Sequence, residues 1–291
     1  MPFGLAHLDE IFRPRRRQLH SGITFHETAI DSVSLDRQSV RLEDGSDLPY
    51  DVLVVATGTR LQPEETEGLT GPGWNERAFT FYTAPGAEAL REPLKWFDGG
   101  RLVVNVVDMP IKCPVAPLEF VFLADRHLRE RGIRGETELV FATPLDGAFT
   151  KPVASEQLGA LLDEKGIELV TEFNTGAVDG AGGVLASYDG RALDFDLLVT
   201  VPLHGGAPFV ERSPGLGDAL GFVPTDPHIP EREDVRRGRG LHTTPDRRLA
   251  DRRRHGGLPH GPRAVERGSR AVDRGGERHP PADRPALAGR P

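Results

Sequence analysis

The chain has 291 residues, of which 37% are hydrophobic and one is cysteine, and its formal net charge is −8. This length predicts one large or two ordinary domains, and no apolar run is long enough for a membrane-spanning helix. One cysteine excludes a disulfide framework, and the first four residues lack the basic and apolar regions of a secretion signal. We therefore expect a cytoplasmic, reducing location.

A basic cluster lies near the start of the chain, with arginine at positions 13, 15, 16 and 17. The simplest interpretation is a solvated loop. The alternative is a peripheral contact with an anionic membrane surface.

A weak internal repeat relates residues 44–55 to residues 189–200. Each copy has an Asp-Gly pair, which favours a hairpin turn, then an aromatic residue followed by Asp, and then an apolar run. The repeat predicts two related domains, each closing with a β-meander and a buried strand. In the first copy that strand is residues 51–55.

Between the two copies, residues 102–107 form a β-branched apolar run that predicts a buried parallel strand. The following loop, residues 108–117, has three prolines and no glycine. It cannot cradle a diphosphate as a G-x-G-x-x-G turn does. Leucine, valine and phenylalanine then recur at helical spacing up to Gly132, and residues 139–141 predict another strand. The segment is a β-α-β unit without a cofactor loop.

The sole cysteine, Cys113, lies in that loop, close to the predicted start of the helix. One interpretation is a small buried apolar residue. The other is a redox thiol, since the helix dipole favours a thiolate near its N-terminus.

The last part of the chain differs sharply from the rest. Residues 226–291 include 16 Arg, no Lys and 10 acidic residues, for a net charge of +6, whereas the remainder carries −14. No aromatic residue follows Pro230, so we expect a disordered tail. A second hypothesis is translation out of frame, which sequencing of the codons for residues 224–235 tests. We expect no nucleic-acid partner, because aromatic residues are not interleaved with the arginines.

Two segments carry a family resemblance. Residues 50–58, with the sequence YDVLVVATG, resemble the strand and ATG turn of the two-dinucleotide-fold, glutathione-reductase-like FAD/NAD(P)-binding flavoproteins. Residues 113–120, CPVAPLEF, resemble the segment of sulfide:quinone oxidoreductases in which a redox cysteine precedes a glutamate by six residues. The resemblance extends over residues 5 to about 228.

The resemblance implies an α/β, Rossmann-like FAD/NAD(P)-binding two-domain fold with FAD as cofactor and no metal. Cys113 would be the redox thiol, and Glu119, about two turns along the helix, a proton acceptor. Glu119 can equally be a residue that complements the helix dipole. Thr57 and Gly58 would contact FAD.

Near the second copy of the repeat, Pro202 and Gly205 would lie where the chain returns toward the flavin. His204, between them, is interpreted as a loop residue rather than a base. The donor would be sulfide or another thiol, and the acceptor a quinone.

The sequence also departs from that family. Nothing before Asp51 supplies the G-x-G-x-x-G turn for the FAD diphosphate, and the Arg-rich tail replaces the Gly-Asp segment and the region that often carries a second redox cysteine. We therefore expect an incomplete FAD-binding domain (1–98), a second dinucleotide-fold-like domain with the cysteine (99–200), a return segment (201–225) and the tail (226–291).

Three functional hypotheses remain open at this point. The first is a flavin-dependent oxidoreductase of the sulfide:quinone type. The second is a catalytically inactive fragment that does not hold FAD. The third is an NADH:quinone-type flavoenzyme, against which the prolines at positions 110, 114 and 117 count.

Overall fold

The computed structural model of this chain describes residues 1–226 and 229–232. These residues belong to the first of two compact units, Met1–Arg237, and the second unit, Gly238–Pro291, lies outside the described residues. The predicted disordered tail, residues 226–291, therefore falls almost wholly outside the described part. At its start, Thr225–Asp226 and Ile229–Arg232 form an antiparallel pair of strands.

The elements are numbered in chain order. The helices are α1 (Leu8–Ile11), α2 (Ala84–Ala89), α3 (Arg91–Trp96), α4 (Ala116–Glu130), α5 (Pro152–Glu164) and α6 (Pro208–Glu211). The strands are β1 (Ile30–Ser34), β2 (Ser39–Leu42), β3 (Asp47–Pro49), β4 (Arg60–Leu61), β5 (Ala78–Phe79), β6 (Gly100–Val106), β7 (Thr137–Ala142), β8 (Glu168–Val170), β9 (Thr175–Asp179), β10 (Val184–Ser187), β11 (Ala192–Asp194), β12 (Leu197–Val201), β13 (His204–Gly205), β14 (Thr225–Asp226) and β15 (Ile229–Arg232).

The largest sheet has five parallel strands in the order β5-β12-β6-β7-β8. Its centre is β6, where Val104 lies in register with Val199 of β12 and Phe141 of β7. Because β6 is covered on both faces, its β-branched run is buried throughout. The predicted β-α-β unit is thus formed by β6, α4 and β7.

Alternate residues of the central strands face two different apolar layers. Val104 packs in one cluster with Leu118, Val121 and Leu128 of α4. Val103 packs in the other, together with residues of β9, β10 and β11. A helix therefore covers one face of the sheet and a meander the other, which gives the predicted α/β fold.

Both predicted β-meanders are present, as the sheets β1-β2-β3 and β9-β10-β11. Their hairpin turns use the same chemistry. Asp44 accepts a hydrogen bond from the backbone N–H of Ser46, and Asp189 accepts one from Arg191, each at 2.9 Å. The glycines that follow, Gly45 and Gly190, have φ angles of +86° and +88°. Glycine adopts this left-handed conformation without steric cost.

The strand predicted over residues 51–55 does not form, and this corrects the sequence-based expectation. Residues 51–59 have no regular secondary structure, and no main-chain hydrogen bond joins them to any other described segment. Val52 and Val54 are each 80% exposed, while Leu53 packs on an apolar cluster. The physical reason is that no described strand lies beside this segment, so nothing completes its hydrogen bonds or covers its outer face.

The apolar cluster beneath that segment joins the first meander to α6. Val33 of β1 packs there with Phe209 and Val210 of α6. The hydroxyl of Ser213 accepts a hydrogen bond from the Val33 N–H at 2.7 Å and donates to the Phe209 carbonyl at 2.6 Å. The segment after β12 is thereby held against residues at the other end of the chain.

A buried carboxylate ties α4 to the connections around it. Asp125 lies on the inner face of α4, and its side chain is 2% exposed. It pairs with Arg134 at 2.7 Å and Arg129 at 2.9 Å. Burial alone raises the pKa of Asp125, but hydrogen bonds and charge from these two guanidinium groups lower it below its usual value.

Among the described residues, no helix is both long and apolar enough to cross a membrane.

Candidate functional site

The candidate site lies at the carboxyl ends of β6 and β12, the point from which the chain adds strands to the central sheet in opposite directions. From β6 the chain passes through α4 to β7 and then to β8, whereas β12 and β5 lie on the opposite side of β6. In open α/β sheets, ligands bind outside the carboxyl ends of the strands at such a switch point. Here the loop after β6 carries Cys113, and the loop after β12 carries Pro202, His204 and Gly205.

Cys113 is exposed and lies three residues before the first residue of α4. Its φ is +52°, in the left-handed region that residues with a side chain seldom occupy. Its carbonyl oxygen accepts two hydrogen bonds, from the Ala116 N–H and from the Tyr82 hydroxyl, both at 3.0 Å. The interpretation of Cys113 as a buried apolar residue is therefore wrong.

Glu119 is exposed and lies in the first turn of α4, as its fourth residue. The expectation that it would lie about two turns along the helix is wrong, because the helix begins at Ala116 and not at the cysteine. Its backbone N–H donates to the Val115 carbonyl at 3.0 Å. A carboxylate in this turn complements the helix dipole, and it remains close enough to Tyr82 to affect the pKa of that phenol.

Tyr82 contacts both loops, through its hydroxyl to Cys113 and its ring to His204. It was not among the residues predicted from the sequence. Burial raises its pKa, and the negative charges of Cys113 and Glu119 raise it further, so the phenol keeps its proton. The Lys112 ammonium lies 5.9 Å from the ring centroid. The His204 ring meets it edge-on, with centroids 5.5 Å apart.

His204, interpreted from the sequence as a loop residue rather than a base, is a buried residue of the two-residue strand β13 in the connection after β12. It is 9% exposed, and its Nδ1 lies 3.0 Å from the Pro202 carbonyl oxygen. Since a carbonyl can only accept, Nδ1 carries a proton. Burial lowers the pKa of His204, and the Lys112 charge lowers it further, so the ring is neutral at pH 7. Nε2 is buried without a hydrogen-bond partner in the described part of the chain.

The predicted cofactor residues divide into two groups. Pro202 and Gly205 are buried, and Gly205 pairs with Arg60 across the strands β13 and β4. Thr57 and Gly58 are exposed on the segment without hydrogen-bonded neighbours. Gly58 has a φ of +69° with open space where a side chain would begin. The pairing therefore brings Gly205 close to the residues that follow Gly58.

A cavity of about 400 Å³ lies between the two loops. It is lined by residues of both loops and of the segment after Gly58, with further walls from α6 and the chain beyond it. Three of its lining residues are acidic and one is basic, namely Glu65, Asp108, Glu211 and Arg60. A second cavity of about 350 Å³ shares Glu65, Asp108 and Leu203 with the first.

FAD, the cofactor implied by the resemblance, has a flavin ring and a diphosphate. The described residues suit the ring better than the diphosphate. The cavity volume is within the range of about 300–1,000 Å³ typical of small-molecule pockets, and neutral His204 lies on its wall. For the diphosphate, the sequence has no G-x-G-x-x-G turn, and carboxylates line the cavity. The described residues therefore fit a neutral ring and do not fit a diphosphate.

No group of three or more His, Cys, Asp or Glu side chains that could hold a metal ion occurs among residues 1–226 and 229–232.

Comparison with known proteins places these features in context. The chain is 26% identical over 209 residues to the mitochondrial sulfide:quinone oxidoreductase of Dictyostelium discoideum, covering 70% of this chain and 46% of that protein. It is 22% identical over 212 residues to the mitochondrial sulfide:quinone oxidoreductase of Mus musculus, covering 71% and 47%. The chain thus spans about half the length of the curated relatives it matches. No protein-family model matches it.

The fold comparison agrees. The solved sulfide:quinone oxidoreductase from Aquifex aeolicus has a TM-score of 0.57 and 19% identity to this chain, covering 72% of this chain and 48% of that one. At this identity the likeness concerns the fold. Together the comparisons confirm the resemblance indicated by the cysteine segment, and with it the Rossmann-like α/β fold.

Proposed function

We propose, from this likeness to the sulfide:quinone oxidoreductases, that the chain is a flavin-dependent oxidoreductase of the sulfide:quinone type. When bound, FAD would supply two-electron redox chemistry between a sulfur donor and a quinone. The observation that carries the proposal is the exposed Cys113 at the switch point of the sheet, followed at the family's spacing by Glu119. The donor is sulfide or another thiol.

Each predicted residue has a role in this proposal. The Cys113 sulfur would bond to the donor sulfur as a persulfide or mixed disulfide, with the two electrons released going to FAD. Glu119, exposed in the first turn of α4, would accept the proton released. Thr57, Gly58, Pro202 and Gly205 would hold the flavin part of the cofactor. Gly205 pairs with Arg60, and the Gln62 N–H donates to the Leu203 carbonyl at 2.8 Å, which supports a shared role for these four positions.

A second candidate is a catalytically inactive chain that does not hold FAD. Two observations favour it. The described residues offer no diphosphate site, and residues 51–59, which include Thr57 and Gly58, have no main-chain partner in the described structure. An NADH:quinone-type activity is disfavoured, because Pro110, Pro114 and Pro117 occupy the loop where a nicotinamide dinucleotide needs glycine.

An absorbance spectrum separates the first two candidates. The purified full chain is mixed with FAD, freed of unbound cofactor, and examined at the flavin bands. We expect retained flavin that is bleached by sulfide without oxygen. Cys113→Ser is the matched control, and it should retain the same flavin without bleaching by sulfide. A colourless chain after FAD treatment contradicts this proposal and supports the inactive candidate.

The location proposed for this function is cytoplasmic, with a peripheral contact on the inner face of a membrane, where quinones dissolve. The arginines at positions 13, 15, 16 and 17 are all exposed, and only Arg16 has a carboxylate partner, Glu27 at 3.2 Å, among the described residues. Exposed cationic groups favour anionic lipid surfaces. Binding to anionic but not to neutral vesicles, weakened by salt, is the expected behaviour.

A further inference from the structure

We propose that Tyr82 is a positioning residue for the thiol of Cys113. This inference rests on the proposed function, because it concerns the residue to which that function assigns the sulfur chemistry. Tyr82 lies just after β5, 31 residues before the cysteine in sequence, and reaches it from a different part of the sheet.

The contact acts on the backbone of Cys113. The Tyr82 hydroxyl donates to the Cys113 carbonyl at 3.0 Å, and the Ala116 N–H donates to the same oxygen at 3.0 Å. A carbonyl held from two sides fixes the peptide plane that follows Cys113, and therefore its ψ. Because φ and ψ together direct the Cα–Cβ bond relative to the loop, the two hydrogen bonds fix the direction from which the thiol extends.

The Cys113 conformation needs such support. At a φ of +52°, an L-residue with a side chain crowds its own carbonyl. The Ala116 bond comes from within the loop and accompanies any tight turn into a helix. The Tyr82 bond comes from outside the loop, so it can hold the conformation against relaxation of the loop as a whole.

Tyr82 is itself held in place by its neighbours. Its ring packs edge-on against Phe81 with centroids 4.9 Å apart, and against His204 at 5.5 Å. His204 Nε2 is buried without a partner in the described residues, and Nδ1 is turned to the Pro202 carbonyl. A polar atom left unpaired in a native interior calls for an explanation, and here it lies beside the residue that holds the cysteine. Packing on two sides therefore holds the Tyr82 ring where its hydroxyl reaches the Cys113 carbonyl.

The test uses Tyr82→Phe, which removes one oxygen atom and keeps the ring. Since Cys113 is the only cysteine, protein labelled with ¹³C,¹⁵N-cysteine gives the NMR signals of a single residue. We expect the Cys113 Cα and Cβ shifts to leave the left-handed range in Tyr82→Phe. The matched control is Tyr50→Phe, because Tyr50 also directs its hydroxyl to a backbone carbonyl, that of Ser34 at 3.5 Å. It should leave the cysteine signals unchanged.

A second readout separates orientation from ionisation. Iodoacetamide and the bulkier dithiodipyridine both react with the thiolate, so the ratio of their rates cancels the thiolate fraction. In Tyr82→Phe this ratio should change roughly threefold or more, as expected for loss of one hydrogen bond of modest strength. Tyr50→Phe should keep the wild-type ratio.

Unchanged cysteine shifts and an unchanged rate ratio in folded Tyr82→Phe overturn the inference. If that variant does not fold, nuclear Overhauser contacts between the Cys113 backbone and the Tyr82 ring in the wild-type chain decide it, and their absence overturns it. All of these measurements use the chain without FAD. Failure to bind FAD therefore contradicts the proposed function alone, and unchanged Cys113 signals contradict this inference alone.

Discussion

At the scale of single residues, the sequence located Cys113 and Glu119, but it did not locate the groups that surround them. Both were found because they lie six positions apart in one continuous segment. Tyr82 and His204 come from segments far away in sequence. The pairing of β12 with β5 and with β6 brings them together beside the cysteine loop. The burial of His204 could not be predicted from the sequence either, because its strand β13 has two residues, too few to show an alternating pattern.

Asp125 is the residue whose substitution should cost the most stability. Asp125→Asn leaves Arg134, whose side chain is 16% exposed, without its buried counter-charge. We therefore expect a loss of about 3 kcal/mol in the free energy of unfolding. Urea denaturation at pH 7 measures it. The control is Glu130→Gln, which breaks the exposed Arg126 pair of the same helix at 2.7 Å and should cost less than about 0.5 kcal/mol. Equal losses for the two variants would contradict this account.

The same carboxylate makes a pH-dependent contribution. Its folded-state pKa is lowered, so its stabilisation is complete above the unfolded pKa of about 3.9 and is lost as pH falls through the folded pKa. The gap in unfolding free energy between wild type and Asp125→Asn should therefore be constant from about pH 7 to pH 5 and narrow below about pH 4. Urea titrations at several pH values measure the gap, and a gap that widens in acid would contradict the assignment.

At the scale of elements, the internal repeat shows what a local pattern can and cannot predict. Val54 and Val199 occupy equivalent positions of the two copies, yet Val54 is 80% exposed and Val199 is 0% exposed. The hairpin turns were predictable because their chemistry is contained in a few adjacent residues. The following strand was not, because a parallel strand forms only when neighbouring strands complete its hydrogen bonds. β12 has β5 and β6 on its two sides, and residues 51–55 have no described neighbour.

This difference gives a matched pair of substitutions. Val54→Lys should change the free energy of unfolding by no more than about 0.5 kcal/mol, as is usual for exposed positions. Val199→Lys places a charge between two packed layers and should prevent folding. Circular dichroism and urea denaturation of the two variants measure the effects. A large destabilisation by Val54→Lys would show that residues 51–55 are covered in solution.

At the scale of the whole molecule, the β-α-β unit and the meanders followed from the sequence, since periodicity and turn residues specify them. The arrangement of the first meander did not, because it depends on the contacts of Val33 with Phe209 and with Ser213, which lies 180 residues away in sequence. The cavity was likewise not predictable. Its walls come from five separate stretches of the chain, and a carboxylate on one stretch faces residues of another only after folding.

Amide hydrogen exchange should differ sharply between residues 51–59 and the central strands β6 and β12. Amides of residues 51–59 have no main-chain acceptor among the described residues and should exchange at the rate of an unfolded peptide. Amides of β6 and β12 lie at the centre of the sheet and should exchange last. Mass spectrometry of peptic peptides from the full chain measures both. Strong protection of residues 51–59 would contradict the described structure of that segment.

Cys113 is the single thiol of these 291 residues. This also determines how a chain with sulfur attached to Cys113 would return to the free thiol. Within these 291 residues no other cysteine can displace a sulfur atom attached to Cys113, so for this chain alone a thiolate from another molecule would have to do so. Cys113 is exposed and open to such an encounter. The lifetime of the modified form is therefore set by the concentration of free thiol around the protein, and it should shorten in proportion as that concentration rises.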